Sequence, residues 1–165
     1  MTWTWATVPR PIRTLARWIA IVQLVGYTTS LVFVWHTTRL VPAGVANRYR
    51  GAAVDSVDSG AMQFPKSFGE MLTITHTHVL SMAVIFAITG LGVALCARLS
   101  ERRRRFLIVE PFCALLVSFS AMWLMRYVDG RFAWLLEASS ALLAITFYIQ
   151  SFLILRELGS VSETA

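Results

Sequence analysis

A chain of 165 residues has room for one compact domain. Hydrophobic residues make up 56% of it and charged residues 15%, against about 45–50% and about 25% in soluble domains, and its mean hydropathy is +0.62. That composition, gathered into long uncharged runs, excludes a soluble enzyme, a disordered tail protein and a disulfide scaffold. The net charge of +6 comes from fourteen arginines and the single Lys66. They cluster beside the apolar runs, so the basicity reads as membrane topology and not as nucleic-acid binding.

The first apolar run, Trp18 to Trp35, is eighteen residues without a charge, and predicts a helix over about 15–36. It exceeds the usual 7–15 residues of a signal-peptide core. Arg39 also intervenes before the small residues Gly44, Val45 and Ala46, so a retained span is expected. The loop that follows, 37–67, carries Pro42, Gly44, Gly51, Gly60 and Pro65 with Asp55 and Asp58. It is expected to form a short interfacial segment or a docking surface.

A second helix is expected over 68–98. It opens with Ser67 and Glu70 in capping-box spacing and contains an uncharged run of twenty-seven residues, Met71 to Ala97. Four arginines, Arg102 to Arg105, then lead into a third helix over 106–127. Its acid, Glu110, precedes Pro111, a pair that reads as a helix start. Asp129-Gly130 signals a tight turn, and a fourth helix is expected over 132–157. Crossing a hydrocarbon core of about 30 Å takes roughly 20 residues at 1.5 Å each, which all four runs supply. The chain therefore reads as an all-α, integral membrane four-helix bundle with antiparallel up-down helices, one transmembrane domain over 1–165.

Nine arginines fall on the side holding Arg10, Arg13, Arg17, Arg98, Arg102 to Arg105 and Arg156, and six cations on the other. Both termini are thus expected inside a bacterial cytoplasmic membrane, with the 37–67 loop outside. Cys96 and Cys113 then fall near the inner ends of their helices, as reduced, small core residues. Gly26, Gly90 and Gly92 read as helix-packing positions.

Ionisable groups inside a span usually face the bundle interior. His36, Glu70, His76, His78, Arg126 and Glu137 all gather toward the outer side. Ser67 and Glu70 are assigned to the helix cap. On helical angles His76 shares a face with Leu80, Ala83, Ala87, Gly90 and Ala94, a small-residue stripe of the kind that packs against other membrane helices. Glu137 shares one with Ala133, Ser140, Ala144, Tyr148 and Ser151. Both are therefore expected to look into the bundle, and His78 to point away, about 200° from His76.

Three readings of this cluster compete. One is an internal hydrogen-bond network, His76 with Glu137 and Arg126 balancing the carboxylate. A second is haem b held by His76 or His78 with His36, with Arg39, Arg126 or Arg131 near its propionates and Trp35, Trp123 and Trp134 at its flanks. The third is a copper, zinc or iron ion on His36, His76, His78 and Glu137. No phosphate loop, HExxH or nucleophile elbow is recognised, so no enzyme activity is assigned. Two functions follow as expectations. The chain is either a cofactor-bearing electron-transfer or redox accessory subunit, or a non-catalytic assembly subunit of a larger membrane complex or homo-oligomer.

The stretch from Phe64-Pro65-Lys66-Ser67 through Glu70 to Thr75-His76-Thr77-His78 resembles a motif of small bacterial four-helix inner-membrane proteins. Met122-Trp123-Leu124-Met125-Arg126-Tyr127 resembles that group too. The resemblance runs from helix one to Glu157. It implies architecture and a shared outer site, not a reaction.

Overall fold

The computed structural model describes residues 3–51 and 64–163, with side chains as far as Val161. Asp55, Asp58 and Gly60 lie outside the described residues. Five helices follow in order: α1 Arg10–Thr38, α2 Pro42–Arg50, α3 Phe68–Ala94, α4 Glu101–Tyr127 and α5 Phe132–Glu163. Strands are absent among the described residues. Apart from α2, every helix is long and apolar enough to cross a membrane, and the protein is a multi-pass helical membrane protein.

The bundle is built on α5. It packs most extensively against α4, then α3, and carries α1 on a third side. Phe86, Leu115, Leu143 and Phe147 fill the middle, while Trp5, Val93, Cys96, Ile154 and Leu158 close the arginine-rich end. α1 is the outlier, with 6% of its apolar window buried against 28–39% in the others. Its contact with α5 is nonetheless specific. Tyr27 stacks on Phe147 at 4.1 Å, Thr28 and Tyr148 share a hydroxyl hydrogen bond of 2.7 Å, and Arg17 donates to the Leu158 carbonyl at 3.1 Å. The segment before α1 folds back under the bundle. There the Trp5 indole N–H donates to the Gly92 carbonyl at 3.0 Å, and the Trp5 amide to Leu95 at 3.1 Å.

The helix ends depart from the sequence expectation in ways that have local causes. α1 begins at Arg10 because Pro9 and Pro11 preset its first turn. It ends where Arg39 and Leu40 turn left-handed, at φ 58° and 53°. Such residues cost roughly 1–2 kcal/mol each, and buried Thr38 offsets that by accepting from the Leu40 amide at 3.2 Å while donating to the Val34 carbonyl at 2.8 Å. A glycine is required at position 44, where a Cβ would collide with the Thr38 carbonyl. α4 begins at Glu101, so Arg102 to Arg105 form its first turns and not a loop. Glu101 pairs with Arg104 at 2.8 Å, one turn on.

The short α2 lies within the 37–67 segment and packs on the bundle. Val45 buries against Met125 and Ala133, with Tyr49, Phe132 and Leu136 around them. A strap fixes it there. The Lys66 amide donates to the Tyr49 carbonyl at 2.9 Å, the Arg126 guanidinium to Lys66 at 2.9 Å, and Arg50 to the Met125 carbonyl at 2.9 Å. At the α4–α5 turn Asp129 accepts from the backbone and guanidinium of Arg131. Those bonds hold its carboxyl below the ordinary range.

Cys96 is buried, as expected of a small core residue, but Cys113 is exposed and sits near the middle of α4, not at its end. A Cβ added at Gly92 would collide with Ile154 and one at Gly90 would just touch Ile108, whereas a Cβ at Gly26 would meet nothing within 4 Å.

Candidate functional site

The capping box forms as its spacing dictates. The Ser67 hydroxyl accepts from the Glu70 amide at 3.3 Å, and Glu70 accepts from the Ser67 amide at 2.8 Å. Lys66 adds an ion pair to the same carboxylate at 2.8 Å. These bonds fix the first turn of α3 and therefore the azimuth of both histidines.

That azimuth reverses the expectation for His76. The buried face of α3 is Met71, Phe86, Thr89 and Val93. His76 instead shares its side with Thr73, Leu80, Val84 and Leu91, all exposed. Of the small residues used to place the interior, Ala87 and Ala94 are exposed as well. The inward side of this helix is set by large side chains that fill the space between α4 and α5, so small size was the wrong marker outside Gly90 and Gly92. His78 lies nearer the seam with α4, its ring 6.4 Å from Phe119, and its Nδ1–H tautomer donates back to the Ile74 carbonyl at 3.0 Å. It too is exposed.

The other members of the outer cluster also separate. His36 is exposed, about 160° around α1 from the packed Ala20. Arg126 is committed to the Lys66 carbonyl and lies over the Tyr127 ring at 4.9 Å, so it does not balance Glu137. Glu137 has one buried carboxylate oxygen with no hydrogen-bond partner. Trp123 donates to the Thr75 hydroxyl at 2.9 Å, and Trp35 and Trp134 are exposed. Among the described residues no three His, Cys, Asp or Glu side chains converge to hold a metal ion. The expected His76–Glu137–Arg126 network does not form.

A different polar constellation lies in the interior. Pro111 stands eleven residues into α4, not at its start, and has no N–H to give to the Leu107 carbonyl. Gln150 of α5 donates to that carbonyl at 2.7 Å, and its own oxygen accepts from the Thr89 hydroxyl of α3 at 2.6 Å. Three helices are thus joined through one amide that is 0% exposed. One further bond, Ser118 to Ser139 at 2.8 Å, ties α4 to α5 nearer the loop side. Beside Pro111, Glu110 is 9% exposed, and both of its carboxylate oxygens are buried without a partner.

Sequence reasoning missed Gln150. The signal was present: a proline inside a long apolar run frees a carbonyl that hydrocarbon cannot satisfy, and Gln150 is the one amide side chain in the apolar run 132–155. Chemically, this seam is a structural lock. The outer imidazoles, by contrast, are turned toward whatever surrounds the bundle.

Comparison with known proteins returned one family. A family model described as a transmembrane helical domain matches residues 39–164. No curated protein and no solved structure matches the chain. The match takes in α2 to α5 and leaves out α1, the helix the bundle buries least.

Proposed function

The chain belongs to that transmembrane helical family, and on this premise we propose that it is a non-catalytic accessory subunit of a bacterial cytoplasmic membrane, with both termini inside. It assembles laterally, through the outward face of α3, with a membrane partner whose helix carries hydrogen-bonding side chains. The observation behind this reading is the contrast between His76 and its neighbours. Thr73, Thr75 and Ser81 satisfy themselves on their own helix, donating to Gly69, Met71 and His78 carbonyls. Two exposed side chains on the same outer half, His76 and Thr77, have no such bond among the described residues. Polar groups turned outward from a membrane helix gain most from a facing polar helix, about 0.6–2 kcal/mol per bond.

A photo-crosslinking residue at position 77 tests the reading in intact membranes. A discrete protein adduct, weakened by His76→Ala and unaffected by Ile145→Ala on α5, supports it. Adducts to lipid alone sink it, and an adduct of twice the chain mass makes the partner a second copy.

The competing reading is an electron-transfer subunit with haem b, or a copper, zinc or iron ion, on His36, His76 or His78. Its support is the exposure of all three imidazoles. Their separation means a partner would complete the ligand set, because Arg126 and Glu137 do not join them. A Soret band that moves on reduction, or stoichiometric metal, would favour it. Colourless, metal-free protein from haem-replete cells removes it.

A further inference from the structure

The outward side of α4 begins in arginine and continues in hydrocarbon. Arg102, Arg105, Val109, Cys113 and Leu116 follow one another at spacings of three and four residues, so they share one face. All five are exposed, and Phe106 beside them is exposed as well.

Of the two arginines between Arg102 and Arg105, Arg103 is also exposed, and Arg104 turns the other way. Arg104 donates to the Glu101 carboxylate at 2.8 Å and to the Cys96 and Leu99 carbonyls at 3.0 and 3.3 Å, which locks the α3–α4 turn to the start of α4. The acid nearest that turn on α5, Glu157, accepts from the Ala97 amide at 2.8 Å. Arg102 and Arg105 are left without an ion-pair partner among the described residues. Side chains three residues apart on a helix stand about 5–6 Å from each other at Cβ, a span that lets two guanidinium forks meet a single phosphate.

Below the arginines the dimensions match a lipid chain. From Arg105 to Leu116 the helix rises about 16 Å at 1.5 Å per residue, close to half of a hydrocarbon core of about 30 Å. That stretch offers a protein partner little to bond. Val109 and Leu116 are apolar and Cys113 is a weak donor, unlike the imidazole and hydroxyl that α3 turns outward.

We infer that this face holds one anionic phospholipid, its phosphate against Arg102 and Arg105 and an acyl chain along Phe106, Val109 and Leu116. The site orders a lipid at the arginine-rich side. It is independent of the α3 contact proposed above, since it lies on another helix and at the opposite end of the bundle.

The test uses the full chain in neutral detergent, with bound lipid counted by native mass spectrometry. The probes are phosphatidylglycerol, phosphatidylcholine and inorganic phosphate. The wild type should retain one phosphatidylglycerol and no phosphatidylcholine. Arg102→Gln with Arg105→Gln should weaken that retention about thirtyfold, while Arg39→Gln at the other end leaves it unchanged. The arginines also bear on topology, so Arg102→Lys with Arg105→Lys serves as the second variant. It keeps the charge and the insertion but loses the fork geometry, and should retain lipid to an intermediate degree. Unchanged retention in the glutamine pair, equal loss from Arg39→Gln, or equal protection by inorganic phosphate alone would each overturn the lipid assignment.

Discussion

Gln150 donates its amide to the Leu107 carbonyl at 2.7 Å, and it does so because the residue that should reach that carbonyl, Pro111, has no N–H. A helix break inside hydrocarbon is thus repaired from a neighbouring helix. The same amide holds Thr89, so one side chain sets the mutual depth of α3, α4 and α5.

Gln150→Leu should destabilise the folded protein by about 1–3 kcal/mol, the cost of stranding a buried carbonyl and hydroxyl. Pro111→Ala in that background should recover part of the loss, because alanine restores the N–H that Leu107 lacks. Equilibrium unfolding in mixed micelles measures both. A double variant no more stable than Gln150→Leu alone would refute the repair.

Gly92 sets how closely α3 approaches α5. A Cβ there would stand 2.5 Å from Ile154 Cδ1 and 3.0 Å from Cγ1, so Gly92→Ala should cost about 1–3 kcal/mol through overpacking. Gly26→Ala, where a Cβ meets nothing within 4 Å, should be neutral or slightly stabilising. Thermal melts of the two variants side by side decide this.

Burial pushes the Cys96 thiol up to about 11 from 9.0, and the nearby Glu157 charge acts in the same direction. The folded state therefore binds the proton more tightly than the unfolded chain. Its contribution to stability is fully present below pH 9 and is lost as pH rises toward 11. Alkylation at pH 8 should leave Cys96 unmodified until the protein is unfolded, and Cys96→Ala should flatten the stability loss across that alkaline window. Rapid modification of folded protein would contradict the buried placement.

The proposed sidedness predicts that Ala43→Cys on α2 reacts with an impermeant maleimide in intact cells. Ala97→Cys, in the α3–α4 turn, should react only after permeabilisation. The opposite pattern would invert the protein in the membrane while leaving the bundle unchanged.

The spans and the capping box were legible in the sequence because they rest on local physics. An apolar run such as Met71–Ala94 must bury its backbone in helix whatever its neighbours, and Ser67 and Glu70 meet because they are three residues apart. Azimuth was not local. Ala87 and Ala94 marked a plausible interior for His76, yet the inward side of α3 is decided by the room that α4 and α5 leave for Met71, Phe86 and Val93. Glu137 and Arg126 likewise lay at compatible depth in the sequence, but the strap at Lys66 takes Arg126 away. Gln150 stands between these cases: the sequence contained the unmet carbonyl behind Pro111 and an amide to meet it, and only the packing of α5 against α4 brought the two within 2.7 Å. Hydrophobic length and hydrogen bonds between near neighbours are properties of the chain, whereas the side a helix turns inward depends on the shape of everything packed against it.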